Sequence, residues 1–359
     1  MIGQRLRISR LASGLSLRGL EAKIDNRVTA QAISKYERNE SMPSSGVLIA
    51  LADALDVAVD YLAGDASMVL EAVDFRKKRF TGRREQARIE ASVLHLLERY
   101  LTVEEILGLP SVAWDKPREA PWPVVRDLSE AEQGALGLRI HWGLGLDPIP
   151  NLVEPLEERG IKVLAMDLPA IDGLTARVRR DKGKPASVIV VNQGDWGERQ
   201  RFTAAHELGH MVLDVAPKLN NEKAAHRFAG AFLMSAEMLR AAIGKHRKSM
   251  GWGELFELKR VFGVSVQALT YRCKDLGIFS NRLFRSLFDE FARRGWRRPP
   301  YEEPYAMQGE KPGRFERLCY RALVEGAVSD AKAAELLGIS VRELNQRVEE
   351  PPRFEPLAA

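Results

Sequence analysis

The sequence predicts an α+β protein, mainly helical with one small sheet, divided into two or more domains. From Gly3 to about Gly64 the apolar residues recur at helical spacing in short blocks separated by turn-prone pieces. Only Ile161 to Ala165 and Ser187 to Val191 read as short buried strands. At 359 residues the chain also exceeds the size at which a single hydrophobic core keeps growing.

The first block breaks at Ser13-Gly14, Asp25-Asn26 and Met42-Pro43-Ser44, which gives a bundle of four or five short helices over residues 1–64. Residues 65–125 form a connecting region. A helical arm is expected from about Ala66 to Leu109, and its basic run Arg76-Lys77-Lys78-Arg79 reads as a solvated face. Pro110 to Pro123 holds four prolines and two tryptophans, which no regular helix or central strand tolerates, so a domain boundary falls there. A third region, 126–280, opens on Ser129-Glu130-Ala131-Glu132, which has capping-box form. Residues 281–359 make an Arg-rich helical segment, a polar loop from Arg298 to Gly313, and helices from about Phe315 to Val348.

Composition excludes several classes. A hydrophobic fraction of 45% with 29% charged residues is too apolar for disorder, and no apolar run approaches the roughly 20 residues of a membrane-spanning helix. Two distant cysteines, Cys273 and Cys319, exclude a disulfide framework or a Cys-rich zinc site, and both are expected buried and reduced. The N-terminus lacks the apolar stretch of a signal peptide, so a cytoplasmic protein without membrane contact is expected. A net charge of +5 permits nucleic-acid binding without demonstrating it.

Within the first region, Ser16 can cap one helix and Thr29 a second, with a short turn at Asp25 to Val28 between them. That is helix-turn-helix spacing. The second helix of such a pair enters the major groove, and the residues able to reach bases or phosphates there are Gln31, Ser34 and Lys35. Ala32, Ile33 and Tyr36 would pack inward, with Leu48, Leu51, Leu55 and Leu62 closing the core. The run Thr29-Ala30-Gln31-Ala32-Ile33-Ser34-Lys35-Tyr36-Glu37-Arg38, followed by Pro43-Ser44 and Leu48-x-x-Leu51-Ala52-x-x-Leu55, resembles the XRE or Cro/C1-type repressor family. The resemblance covers about the first 64 residues and implies binding to a double-stranded DNA operator.

His206-Glu207-Leu208-Gly209-His210 is an H-E-x-x-H pattern on a helix-compatible segment. The four-residue spacing puts both imidazoles on one helix face, where they can hold one Zn²⁺, while Glu207 stays off the metal and can act as the catalytic base. A third ligand is needed, and Glu222 and His226, one helical turn apart, both offer one. The segment Glu222-x-x-Ala225-x-x-Phe228-Ala229, with Phe232-Leu233-Met234 after it, resembles the ligand helix of the ImmA/IrrE-type metallopeptidases, which implies Glu222. Asp172 to Arg177, Val188 to Asn192 and Arg199 to Thr203 match that family as well, so the resemblance runs from about Ser129 to Gly277. It implies a zincin-like fold beside the all-α helix-turn-helix bundle. It also implies a protein substrate, often a repressor, for which the strand before the active-site helix would offer an edge.

Ser329 to Leu344 resembles a second helix-turn-helix. Glu343, Glu349 and Glu350 oppose approach to phosphates, so dimerisation or partner docking is the expected role. The sequence thus reads as a homodimeric DNA-binding regulator with a zinc endopeptidase domain that cuts a repressor-like partner. The alternative is an antitoxin-like repressor whose zinc domain only docks a toxin partner.

Overall fold

The computed structural model describes residues 2–63, 70–73, 83–110, 114, 116–117, 124–168, 171–180, 184–297 and 303–349. The basic run at Arg76 to Arg79 and most of the Pro/Trp-rich segment lie outside them. Among the described residues no helix is long and apolar enough to cross a membrane.

The N-terminal bundle comprises α1 (Ile2–Ala12), α2 (Leu17–Lys23), α3 (Ala30–Glu37), α4 (Ser45–Leu55) and α5 (Val59–Ala63). Its core is built from Leu6, Leu20, Ile33, Leu51, Leu55 and Leu62, with Leu48 and Tyr36 packed partly buried against it, as the helical spacing predicts. Arg10 and Glu37, both nearly buried, form a two-pronged pair at 2.5 and 2.9 Å that fastens α1 to α3.

A short strand, β1 (Leu70–Val73), and a long helix, α6 (Arg83–Ile106), follow. The arm expected to be helical throughout therefore contains a strand. The pairing accounts for it, because β1 adds antiparallel to a neighbour at Val178 and Arg180, and tertiary pairing overrides local propensity.

The third region runs α7 (Leu128–His141), α8 (Val153–Glu158), β2 (Ile161–Met166), β3 (Gly173–Arg180), β4 (Ala186–Asn192), α9 (Gly197–Val212), α10 (Asn221–Leu233), α11 (Ala236–Ile243), α12 (Trp252–Phe262), α13 (Val266–Asp275) and α14 (Asn281–Arg293). Asp127, two residues before the expected cap, starts α7 by accepting from the Ser129 and Glu130 amides, and Glu130 reaches back to the Arg126 amide.

The sheet order is β1-β3-β4-β2, with β2 and β4 parallel and the remaining pairs antiparallel. Both sheet faces are covered. Ile161, Val163, Ile189 and Val191 pack toward α7, α9 and α10, whereas Leu164, Met166, Val188 and Val190 pack toward α6 and the C-terminal helices. Two-sided burial is why β4 is apolar almost without interruption. The first of these cores continues past residue 280 through Leu283, Leu287, Phe291 and Trp296.

The chain closes with α15 (Arg314–Val324), α16 (Asp330–Leu337) and α17 (Val341–Glu349). The polar loop ahead of α15 is tied down by buried charge. Lys259, fully buried, lies 2.6 Å from Glu198 and 2.7 Å from Glu303, and Arg201 pairs with Glu310. Glu198 and Arg201 both belong to α9, so the loop is strapped to the start of that helix.

Candidate metal centre and nucleic-acid interface

Helix α9 is buried along most of its length, with His206 5%, Glu207 2% and His210 3% exposed. The two imidazoles share a face, their rings 4.7 Å apart and nearly perpendicular. Helix α10 begins where the Asn220 side chain caps it through the Lys223 amide, so Glu222 falls in its first turn. What brings Glu222 to the histidines is close packing of small residues. A Cβ on Gly209 would lie 3.0 Å from the Phe228 ring and 3.3 Å from the Ala225 Cα, so the two helices meet closely only because position 209 has none.

Three donor atoms converge. His206 Nε2 and His210 Nε2 are 3.1 Å apart, and the Glu222 carboxylate stands 3.2 Å from the first and 3.4 Å from the second. Ligands bound tetrahedrally at about 2.0–2.1 Å from a zinc ion are separated by roughly 3.3 Å, so this donor set fits a divalent cation of that size. Among the described residues these three form the group able to hold a metal. The Glu222 side chain is 57% exposed, so the centre opens to the surface on its side. His226 lies outside the donor group. Its ring packs edge-on against His206 at 4.8 Å and beside Phe202 at 5.3 Å. A cleft of about 720 Å³ adjoins the centre, lined among others by Glu222, His226, Phe202, Trp196 and Tyr271.

Glu207 faces the sheet. A Cβ on Gly173 would stand 2.7 Å from the Val190 carbonyl oxygen, closer still to the Thr203 methyl, and 3.7 Å from Glu207 Cγ. Glycine therefore lets the start of β3 run directly over the helix beside Glu207. Arg199 fastens this corner, pairing with Asp172 at 2.7 Å and Asp195 at 3.3 Å, and burial pushes the Asp195 carboxyl up. The edge expected on the strand before α9 is not there. That strand is β4, and it is bonded to β2 on one side and β3 on the other. Beyond β3, β1 pairs only at Val178 and Arg180, so the half of β3 that passes Glu207 has no strand partner on its outer side among the described residues. His246 bonds the Gly277 carbonyl at 3.2 Å, and Arg247 is engaged with Glu254.

In the N-terminal bundle, Thr29 caps α3 through the Ala32 amide at 3.2 Å, and Ile33 is fully buried. That anchor turns Gln31 and Lys35 to the surface and leaves Ser34 half-buried. The sequence reading missed Arg38, which is exposed on the same face, donates to Ser34 Oγ at 2.6 Å and pairs with Glu40. Its i,i+4 spacing from Ser34 carried the signal.

Together these features define a two-part class, a DNA-binding helix-turn-helix joined to a metallopeptidase-like domain. Residues 6–62 match the helix-turn-helix family, and residues 156–274 match the IrrE N-terminal-like domain of peptidase family M78. A stretch of 60 residues is 45% identical to an uncharacterized HTH-type transcriptional regulator of Rickettsia prowazekii, covering 17% of this chain and 45% of that protein.

Proposed function

We propose that this protein is a transcriptional regulator that carries its own zinc endopeptidase, with His206, His210 and Glu222 holding Zn²⁺ and Glu207 serving as base. The observation that carries the reading is the spacing of the three donor atoms, with Glu207 buried on the same helix. A bound Zn²⁺ supplies a Lewis acid for the scissile carbonyl and makes a water nucleophilic near neutral pH. Glu207 takes the proton of the attacking water and passes it to the departing amide nitrogen. His226 and Phe202 line the approach to the centre, and the outer side of β3 from Gly173 gives an extended peptide a backbone to pair with. The substrate is a repressor-like protein. Gln31, Ser34 and Lys35, with Arg38 beside them, read the operator, and the protein acts as a homodimer in the cytoplasm.

The test compares zinc-loaded wild type with Glu207→Gln on a native proteome, reading new protein N-termini by terminal labelling. Cleavage by wild type that slows roughly 10²-fold or more in the variant, at unchanged zinc content, supports the peptidase. Equal behaviour of the two would discard it in favour of a docking role for the metal domain.

A further inference from the structure

The C-terminal helices α16 and α17 follow the cap-and-anchor plan of α2 and α3, with the second cap two residues nearer the first. Ser16 caps α2 through the Gly19 amide, and Ser329 caps α16 through Lys332. Four residues after each cap comes a fully buried side chain, Leu20 in one and Ala333 in the other. The turns contain left-handed residues, Asp25 and Asn26 in the first and Gly338 in the second. Thr29 then caps α3, and Ser340 caps α17 through the Glu343 amide at 3.1 Å. Four residues on, Ile33 and Leu344 are both fully buried. With cap and anchor aligned, the outward positions correspond: Gln31 with Arg342, Ser34 with Asn345, and Lys35 with Gln346. All three C-terminal side chains are exposed.

We infer that α17 is a second DNA-reading helix, contacting base edges through Arg342, Asn345 and Gln346. Their chemistry fits the major groove, where arginine pairs with guanine O6 and N7, and asparagine or glutamine with adenine N6 and N7. The acidic residues that argue against this from sequence are partly neutralised. Arg347 lies 2.7 Å from Glu343 and 2.9 Å from Glu316. Nor does charge separate the modules, since residues 314–349 hold six basic and six acidic side chains and residues 2–63 hold eight and seven. Both modules are fastened to α6 by consecutive residues. Glu98 accepts from Tyr61 at 2.9 Å and pairs with Arg5, while Arg99 donates to the Leu336 carbonyl at 2.5 Å. Two half-sites on one duplex are therefore expected at one spacing. The competing occupant of this face is a second copy of the chain, seated on the exposed Val341 and Val348.

The full-length protein is offered a random double-stranded DNA library, alongside an Arg342→Ala/Asn345→Ala/Gln346→Ala variant and a Gln31→Ala/Lys35→Ala variant. Wild type should enrich a two-part motif at one spacing, repeated about the dyad of the proposed homodimer. The C-terminal variant should keep one part, lose the other, and bind the wild-type duplex roughly tenfold or more weakly at matched salt, with the N-terminal variant doing the reverse. Arg342→Lys, which keeps the charge but not the two-pronged geometry, should relax a single guanine and so excludes misfolding as the cause. If the C-terminal variant selects the full motif with wild-type affinity, α17 does not read DNA, whether or not sedimentation shows that it lost self-association. That result leaves the N-terminal reading standing, whereas no enrichment by any form removes both.

Discussion

The proposed reading helix α3 and the proposed metal helix α9 use the same periodicity to opposite ends. Helix α3 fully buries one residue, Ile33, and exposes Gln31 and Lys35, whereas α9 buries its whole H-E-x-x-H run. A groove reader must expose its side chains to meet base edges, and it needs only enough buried surface to fix its angle. A metal centre needs its ligands locked before the ion arrives, and that takes packing on every side. Substitutions on α9 should therefore have large and coupled effects, and substitutions on α3 smaller and separable ones.

The largest effect is expected from His206→Ala. It removes one of two imidazoles on a buried face, so zinc should fall to background by elemental analysis and cleavage should vanish. Operator affinity should stay within about twofold of wild type, because α3 lies in a different core. A parallel loss of DNA binding would mean that the two helices are not independent units.

Next comes the third ligand. Glu222→Ala should weaken zinc binding roughly 10²-fold or more, whereas His226→Ala, a ring neighbour of His206 outside the donor group, should cost about tenfold or less. The reverse order, measured by competition with a chelator, would transfer the third ligand to His226.

Legibility followed the same division. The shared helix face of His206 and His210 could be read because the i,i+4 rule is local, and the outward placing of Gln31 and Lys35 because a cap and a buried anchor fix which positions face out. Strand β3 went unread although Leu174, Ala176 and Val178 alternate with Thr175 and Arg177, a period-two signal. Strand β1 could not be found that way, since the edge of β3 makes it a strand. The pairing of Lys259 with Glu198 and Glu303 was equally hidden, because its partners are far apart in sequence. Gly209 and Gly173 are functional only through what approaches them, and no pattern in the chain records that.

The close approach of α10 to α9 gives a smaller effect on the same side of the comparison. Gly209→Ala puts a Cβ 3.0 Å from the Phe228 ring and 3.3 Å from the Ala225 backbone, so α10 must back away and carry Glu222 with it. A several-fold weaker zinc affinity is expected, together with about 1–3 kcal/mol of lost stability from overpacking. Unchanged zinc affinity in a destabilised variant would show that Glu222 adjusts on its own.

The smallest effect tests how the DNA-reading bundle is held. His95 on α6 stacks edge-on against Tyr61 at 5.3 Å, and its Nδ1 lies 3.3 Å from the Tyr61 hydroxyl, which also bonds Glu98. Burial drives the His95 imidazole down to about 4, and neighbouring Arg99 acts in the same direction. Its folded value thus lies below its unfolded one, so the neutral ring contributes stability that is complete above about pH 6.5 and is lost as pH falls from there toward 4. Between about pH 6.5 and pH 5 the loss amounts to about 1.6 kcal/mol, since the slope of 1.36 kcal/mol per pH unit is reached only well below pH 6.5. His95→Gln removes the titration and should flatten that part of the profile, while carboxylates elsewhere leave both proteins equally sensitive at lower pH. The measurement is thermal unfolding across this window, with limited proteolysis to report release of the bundle from α6. If wild type and variant lose stability in parallel, the junction between bundle and arm does not titrate through His95.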